Sequence, residues 1–326
     1  MDLISNALQI MMNEDGVDVE PLSVTDNGTY TAPSGKAYSP VTVDVQEQPW
    51  QPLQDGYSNF WFELTNDTLS PWLNFSAKNA DAVIDWGDGS GEVALDTLTP
   101  THTYSKAGRY VVKVKGVTGI AMQRSINNPE YIKTLRAIEL NNDVTSFVSN
   151  ALMYFWNLAN VYMSDTVRSL GSSIFSYCMS LKSIKLSTAI TILPITLFNT
   201  CVELASVSLP PTLTTISASS FAYTFSLKTI TIPSTVSTIG NNAFYSCNEL
   251  SVVHVQATTP PTLGTSVFTG LPSDFIIYVP VGTGDTYKAA AGWSTYADHI
   301  VEEGQTLSRA ALRRIQLAET DESEVR

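Results

Sequence analysis

One apolar pattern returns every 23 residues from Leu135 to about Leu271, without a gap. Leu135, Leu158, Leu181, Leu204, Leu227 and Leu250 open the copies. Ile138, Val161, Ile184, Val207, Ile230 and Val253 follow at plus three, and Leu140, Met163, Leu186, Leu209, Ile232 and Val255 at plus five. At plus seventeen stand Leu152, Phe175, Phe198, Phe221 and Phe244, with Phe268 one place late. A fixed period in the twenties makes each copy one supersecondary unit whose apolar face only its neighbours can bury. The chain is predicted to be a solenoid, mainly β. Strand side chains alternate, so plus three and plus five share the inner side of a short strand. Apolar residues at plus nine (Val144, Val167, Ile190, Leu213, Val236) and plus twelve (Phe147, Leu170, Leu193, Ile216, Ile239) then turn the coil.

The fifth copy, LKTITIPSTVSTIGNNAFYSCNE, carries the pattern at its cleanest. All six copies resemble the bacterial BspA-type leucine-rich repeat, which implies a solenoid over 135–300 and a role on exported surface proteins. The ending fits that resemblance. Phe275-Ile276-Ile277-Tyr278-Val279-Pro280 would add a seventh rung, and Tyr287–Trp293 with Tyr296 and Ile300 looks like a closing helix. Such a helix covers the open end of a coil that would otherwise expose apolar side chains and unpaired backbone.

Ahead of the repeats the sequence divides into short parts. Leu3, Ile4, Ala7, Leu8 and Met11 fall at helical spacing within residues 1–20. They read either as a helix folded back on its own domain or as an attachment peptide that orders on a partner. Residues 21–58 hold a small β module and a Pro/Gln-rich linker. Its NGTYTAPSGKAYSPVTVDV stretch, Asn27 to Val45, is similar to β segments of tailed-phage structural proteins. Residues 59–116 carry strand-like runs at Phe60–Leu64, Trp72–Ser76, Ala82–Trp86 and Tyr110–Val114. The Trp86-Gly87-Asp88-Gly89-Ser90 run followed by His102-Thr103-Tyr104 and Gly108–Val114 resembles a PKD-type immunoglobulin-like sandwich, so two separate cores are expected. Asp85 and Asp88 read as caps of a hairpin turn, with a calcium site as the alternative; hard cations take six or more oxygens. Residues 117–134 read as a linker, and 301–326 as a helix from about Ser308 to Leu317 with an acidic tail.

Charge and cysteine usage narrow the function classes. The net charge of −13 is concentrated in residues 1–59, where nine carboxylates face the single Lys36. An acidic chain without a basic stripe excludes a nucleic-acid backbone as partner. Met1–Asp15 lacks the basic start of a secretion leader, and no run reaches the ~20 apolar residues of a membrane span. Cys178, Cys201 and Cys247 all occupy plus twenty, which reads as a small interior position. No spacing suggests zinc, and no cofactor is implied.

Nothing assembles a reaction centre. His102, His254 and His299 fall in three contexts, and no nucleophile elbow, Walker loop or HExxH is present. The array's carboxylates, Glu139, Asp143, Asp165, Glu203 and Glu249, read as scattered. The chain is therefore expected to be no enzyme. Binding residues are sought on two rows. At plus four, Tyr162, Lys185 and His254 point outward from the strands; at plus nineteen, Tyr154, Tyr177 and Tyr223 form a tyrosine ladder. The tyrosines either meet a partner or pack along their own coils. Two readings follow: a tailed-phage virion component held to capsid or tail by its N-terminus, or a BspA-like adhesin of the bacterial surface. Either would meet a host-surface glycan or protein through the repeats, and a homo-oligomer stays open.

Overall fold

A computed structural model describes residues 56–65, 71, 73–122 and 133–305, and the backbone of three short strands nearer the N-terminus. The chain forms two compact units, Met1–Gln51 and Pro52–Arg326. In the first, β1 (Ser23–Val24), β2 (Tyr30–Thr31) and β3 (Ala37–Tyr38) form an antiparallel sheet in that order, with Tyr30 opposite Tyr38. The attachment residues Leu3, Ile4, Ala7, Leu8 and Met11 lie outside the described residues, as does the C-terminal helix expected at Ser308–Leu317.

The second unit begins with β4 (Ser58–Leu64), β5 (Phe75–Asp85), β6 (Glu92–Ala94) and β7 (Gly108–Ile120). The repeats follow with β8 (Leu135–Glu139), β9 (Ser146–Phe147), β10 (Asn160–Tyr162), β11 (Ser169–Leu170), β12 (Ser183–Lys185), β13 (Ile192–Leu193), β14 (Thr215–Ile216), β15 (Thr229–Ile232), β16 (Thr238–Ile239), β17 (Val252–Val255), β18 (Thr262–Leu263) and β19 (Ile276–Val279). Each coil contributes one strand near plus twelve, and each but the fourth contributes one near plus three. Copies therefore pair in parallel, Val161 with Ile138 and Ile184, and Ile216 with Leu193 and Ile239. The plus-three and plus-five side chains turn inward as the alternation requires: Ile230, Ile232, Val253 and Val255 are all buried.

Two separate cores are not what the described residues form. β4 lies between β7 and β8, antiparallel to both, and Phe60 pairs with Val112 on one side and Ile138 on the other. β7 pairs with β4 over Gly108–Val114, then runs on so that Gly119 and Ile120 pair in parallel with Ser146 and Phe147. Both ladders of the solenoid thus start inside the N-terminal β unit, and the buried apolar residues make one continuous cluster from Phe60 to Ile300. Residues 117–120, expected in a linker, are the end of a strand. The change of partner along β7 falls at Gly116, whose φ of +77° favours glycine. A Cβ there would meet the Ala82 backbone at 2.9 Å. Sequence alone missed this junction because β4 and β8 are some eighty residues apart, and strand pairing at that distance leaves no periodic mark.

Polar side chains fasten the junction at both ends of β4. Glu63 accepts from Arg136 Nε at 3.0 Å, and Arg136 is little exposed. At the other end the Asn141 amide accepts from Ser58 Oγ (2.9 Å) and donates to the Gly56 carbonyl (2.6 Å). Asp143 accepts from the Gly116 N–H at 2.9 Å.

The third wall has no strand, and its regularity was not foreseen. At plus fifteen every coil carries a residue in the left-handed region: Asn150, Ser173, Thr196, Ser219 and Asn242. At plus nineteen Tyr154, Tyr177, Thr200, Tyr223 and Ser246 do the same, with φ between 54° and 67°. For a non-glycine residue that conformation costs roughly 1–2 kcal/mol. It is offset by a ladder in which alternate N–H groups donate to the following coil, as Ser173 to Ile195, Phe175 to Leu197 and Tyr177 to Asn199 (2.8–3.0 Å). Behind this wall the plus-seventeen rings stack: Phe175, Phe198, Phe221, Phe244 and Phe268 follow one another at 5.2–5.7 Å.

The C-terminal end is closed by α1 (Gly284–Ala289), a 3-10 helix (Trp293–His299) and β20 (Ile300–Glu302). The closing helix is two short pieces, divided at Gly292 with φ +81°. Trp293 Nε1 donates to the Pro261 carbonyl and Tyr287 OH to that of Ala257, both at 2.7 Å. The Phe268 N–H, the end of the third-wall ladder, donates to Tyr296 OH at 3.3 Å. β20 pairs with β19 and completes the first ladder.

Candidate functional site: the outward rows of the repeat coils

The plus-four row lies on the outer side of the first ladder because plus three and plus five are inside. Glu139, Tyr162 and Lys185 sit in register on β8, β10 and β12, with Glu139 buried where Asn59 of β4 donates to it at 3.3 Å. Lys185 Nζ lies 4.6 Å from the centre of the Tyr162 ring and 3.2 Å from Asp165 Oδ1. The Asp165 carboxyl is held below its ordinary range, first by the Thr188 N–H (2.9 Å) and then by Lys185. Farther along the same row His254 stacks on Tyr278 at 5.1 Å, and its Nδ1 is 2.8 Å from Glu303 Oε1. Between these two clusters the row holds only Ser208 and Thr231, both exposed. Small hydroxyl side chains thus separate two rigid aromatic and charged groups.

The plus-nineteen tyrosines form two groups. Tyr154 and Tyr177 stack at 4.8 Å, while Tyr223 meets Phe225 and Tyr245 edge to face at 6.2 and 5.6 Å. The intervening Thr200 is buried. All three tyrosines are half-buried and sit on the third wall.

The three cysteines are enclosed. Cys178, Cys201 and Cys247 Sγ point at the carbonyls of Leu152, Phe175 and Phe221 in the preceding coil, at 3.0–3.2 Å. Burial raises all three thiols, Cys247 to about 12. They are small interior donors.

In the β unit, Asp85 Oδ1 accepts from the Gly87 N–H (2.8 Å) and Asp88 Oδ1 from the Ser90 N–H (3.0 Å). Asp88 Oδ2 is 2.7 Å from His102 Nε2. Both carboxylates cap the turn. A Cβ at Gly87 would meet the Val111 carbonyl oxygen at 2.4 Å, which fixes glycine there. His102 stacks on Trp86 at 4.8 Å, and Tyr104 OH donates to the Trp86 carbonyl at 2.6 Å. Among the described residues no cluster of His, Cys, Asp and Glu has the form of a metal site.

One concave feature escaped the sequence reading. A shallow groove of about 440 Å³ is lined by Lys182, Glu203, Ala205, Ser226, Lys228 and Glu249. Lys182 pairs with Glu203 at 3.6 Å and Lys228 with Glu249 at 3.9 Å. Glu203 and Glu249 were read as scattered, yet both stand at plus twenty-two, and both lysines stand at plus one. The signal lies in the phase of these charges, lysine at plus one and glutamate at plus twenty-two in the third and fifth copies.

Residues 128–251 match the family described as BspA type Leucine rich repeat region, in six copies. No curated protein matches the chain. Among solved structures the chain is similar to a leucine-rich repeat protein of T. pallidum, at 21% identity and a TM-score of 0.39, covering 48% of this chain and 81% of that one. It is also similar to a leucine rich cell surface protein of Faecalibacterium prausnitzii, at 23% identity and a TM-score of 0.28, over 62% of this chain and 38% of that one. A leucine-rich repeat protein of Bacteroides ovatus aligns at 17% identity and a TM-score of 0.31, over 63% and 71%. Residues 128–251 are thus similar to the BspA type of leucine-rich repeat, and the mainly β coil fits such an array.

Proposed function

We propose that the chain is a non-enzymatic binding protein of the bacterial cell surface, with the repeat array as its contact surface and the N-terminal β unit, read as PKD-like, as the cap of that array. The observation that carries this reading is the six-copy BspA-type array itself. Its outward rows offer aromatic, cationic and hydroxyl groups on a rigid ladder, while its thiols are buried. Rigid aromatic anchors beside adaptable polar groups suit recognition of protein or sugar surfaces. The cell-surface relative named above is consistent with this place, although the chain spans only 38% of it.

The virion reading rests on residues 1–20 and on the resemblance of the 27–45 stretch, and it is the alternative outcome of the same test. An antibody raised against residues 56–305 is applied to intact and to permeabilised cells that make the protein, and to any particles they release. Labelling of intact cells supports the surface reading. Labelling only after permeabilisation overturns it, and co-sedimentation of the protein with phage particles replaces it with the virion role.

A further inference from the structure

Three polar residues stand in one row where the β unit joins the repeats. Asn59 of β4 is the register partner of Lys113 on β7 and of Glu139 on β8, so all three project from one outer face. Asn59 and Glu139 are buried there, and Lys113 is half-buried. Asn59 Nδ2 donates to Glu139 Oε2 at 3.3 Å. Directly opposed side chains of an antiparallel pair have Cβ atoms about 4.5–5.5 Å apart, so a lysine chain on β7 reaches the amide opposite it. Lys113 Nζ lies 5.8 Å over the ring of Tyr57, two residues before Asn59, and so already stands at this row.

A second observation concerns the amide itself. Asn59 Oδ1 is buried and has no hydrogen-bond partner. Buried polar atoms of folded proteins are nearly always paired, and an orphan calls for an explanation. Here the amide nitrogen is held on a carboxylate, its carbonyl accepts nothing, and an amine stands on the neighbouring strand. Those are the three groups that acyl transfer from an amide to an amine requires.

We propose that Lys113 and Asn59 join in an isopeptide bond, with Glu139 as the catalytic acid–base. The inference goes beyond the surface-binding reading and does not rest on it. The neutral amine attacks Asn59 Cγ, its lone pair forming the new C–N bond. Glu139 takes the proton that the nitrogen sheds and delivers it to Nδ2 as the Cγ–Nδ2 bond breaks. Ammonia leaves, and no oxidant, reductant or cofactor enters. Amines attack only when neutral, a rare state for lysine at neutral pH, but one irreversible turnover per chain suffices. Fixed geometry supplies an effective concentration of about 10⁵ M or more, and a positioned acid–base about 10²–10⁴-fold in rate. The bond would tie β7 to β4 on the row that β4 shares with the first repeat strand.

Intact-mass spectrometry of the folded full chain tests this. The chain is expected about 17 Da below its sequence mass, one ammonia lost. Trypsin should then fail at Lys113 and leave residues 110–115 joined to residues 37–78. Lys113→Arg, a change on a half-buried side chain, should restore the sequence mass. Glu139→Gln, with folding checked by its melting curve, should leave most chains unjoined. A folded parent at its sequence mass overturns the proposal. A loss that survives Lys113→Arg overturns it as well, because that is an asparagine closing on its own backbone. Undiminished joining in folded Glu139→Gln overturns the role given to that carboxylate.

Discussion

Phe60 lies directly opposite Ile138 across the β4–β8 pair, so a residue of the N-terminal β unit and the first inward residue of the repeats share one rung. Both are buried. The β unit is thereby the first layer of the solenoid. It covers the end of the array that α1, the 3-10 helix and β20 do not reach, and both open ends of the core are closed by elements outside the 23-residue pattern. A repeat array needs such ends for solubility.

The Phe221 ring lies between those of Phe198 and Phe244 at 5.3 and 5.2 Å and is fully buried. Phe221→Ala should cost about 3–5 kcal/mol, the range for a buried aromatic removed from a packed core. Because neighbouring coils bury one another, hydrogen-exchange protection should fall in the third and fifth copies too. A variant that melts with the parent would place plus seventeen at the surface.

Thiol accessibility tests the plus-twenty position. Cys178, Cys201 and Cys247 are each fully buried, and burial raises their thiols, so little thiolate is available to react. Native protein should take up no thiol reagent over an hour, and three equivalents after unfolding in guanidinium. Fast labelling of any one of them in native buffer contradicts the packing described.

Acid should weaken the β unit through Asp88. Hydrogen bonds from Ser90 first, and then from His102, lower its carboxyl to about 2 from the ordinary 3.8. A pKa lowered by folding contributes stability that is fully present above about pH 4 and is lost as the pH falls through about 2. Asp88→Asn should therefore melt below the parent at pH 5, with the gap closing between pH 4 and pH 2. A gap that stays constant over that range would mean the carboxylate is not held by the fold.

Much of this was legible in the sequence, and the boundary of what was legible is physical. Leucines 23 apart fix the coil, and alternation at plus three and plus five fixes which face is inside, because both are local patterns with a period. The seventh rung at Ile276–Val279 could be read for the same reason. The joining of Phe60 to Ile138 could not, since non-local pairing is a matter of which edge meets which. Left-handed residues at plus fifteen were half visible: Asn, Ser and Thr recur there, and short polar side chains tolerate that region better than branched apolar ones. Tyrosine at plus nineteen gave no such hint. Of the binding residues, Tyr162 with Lys185 and Tyr154 with Tyr177 come together, while His254 and Tyr223 belong to other clusters. The groove needed the charges to be phased as the leucines were.

The central claim is that β unit and repeats form one core, and Phe60→Ala tests it most directly, read by hydrogen exchange of the full chain alongside its melting curve. Removing this buried ring should cost about 3–5 kcal/mol. The account predicts a single transition shifted downward, with amides of the first and second coils, such as Leu140 and Met163, losing protection together with those of β4 and β7. If the β unit alone loosens, while the repeat amides keep their protection and melt at the parent's temperature, the two are separate domains and the account is wrong.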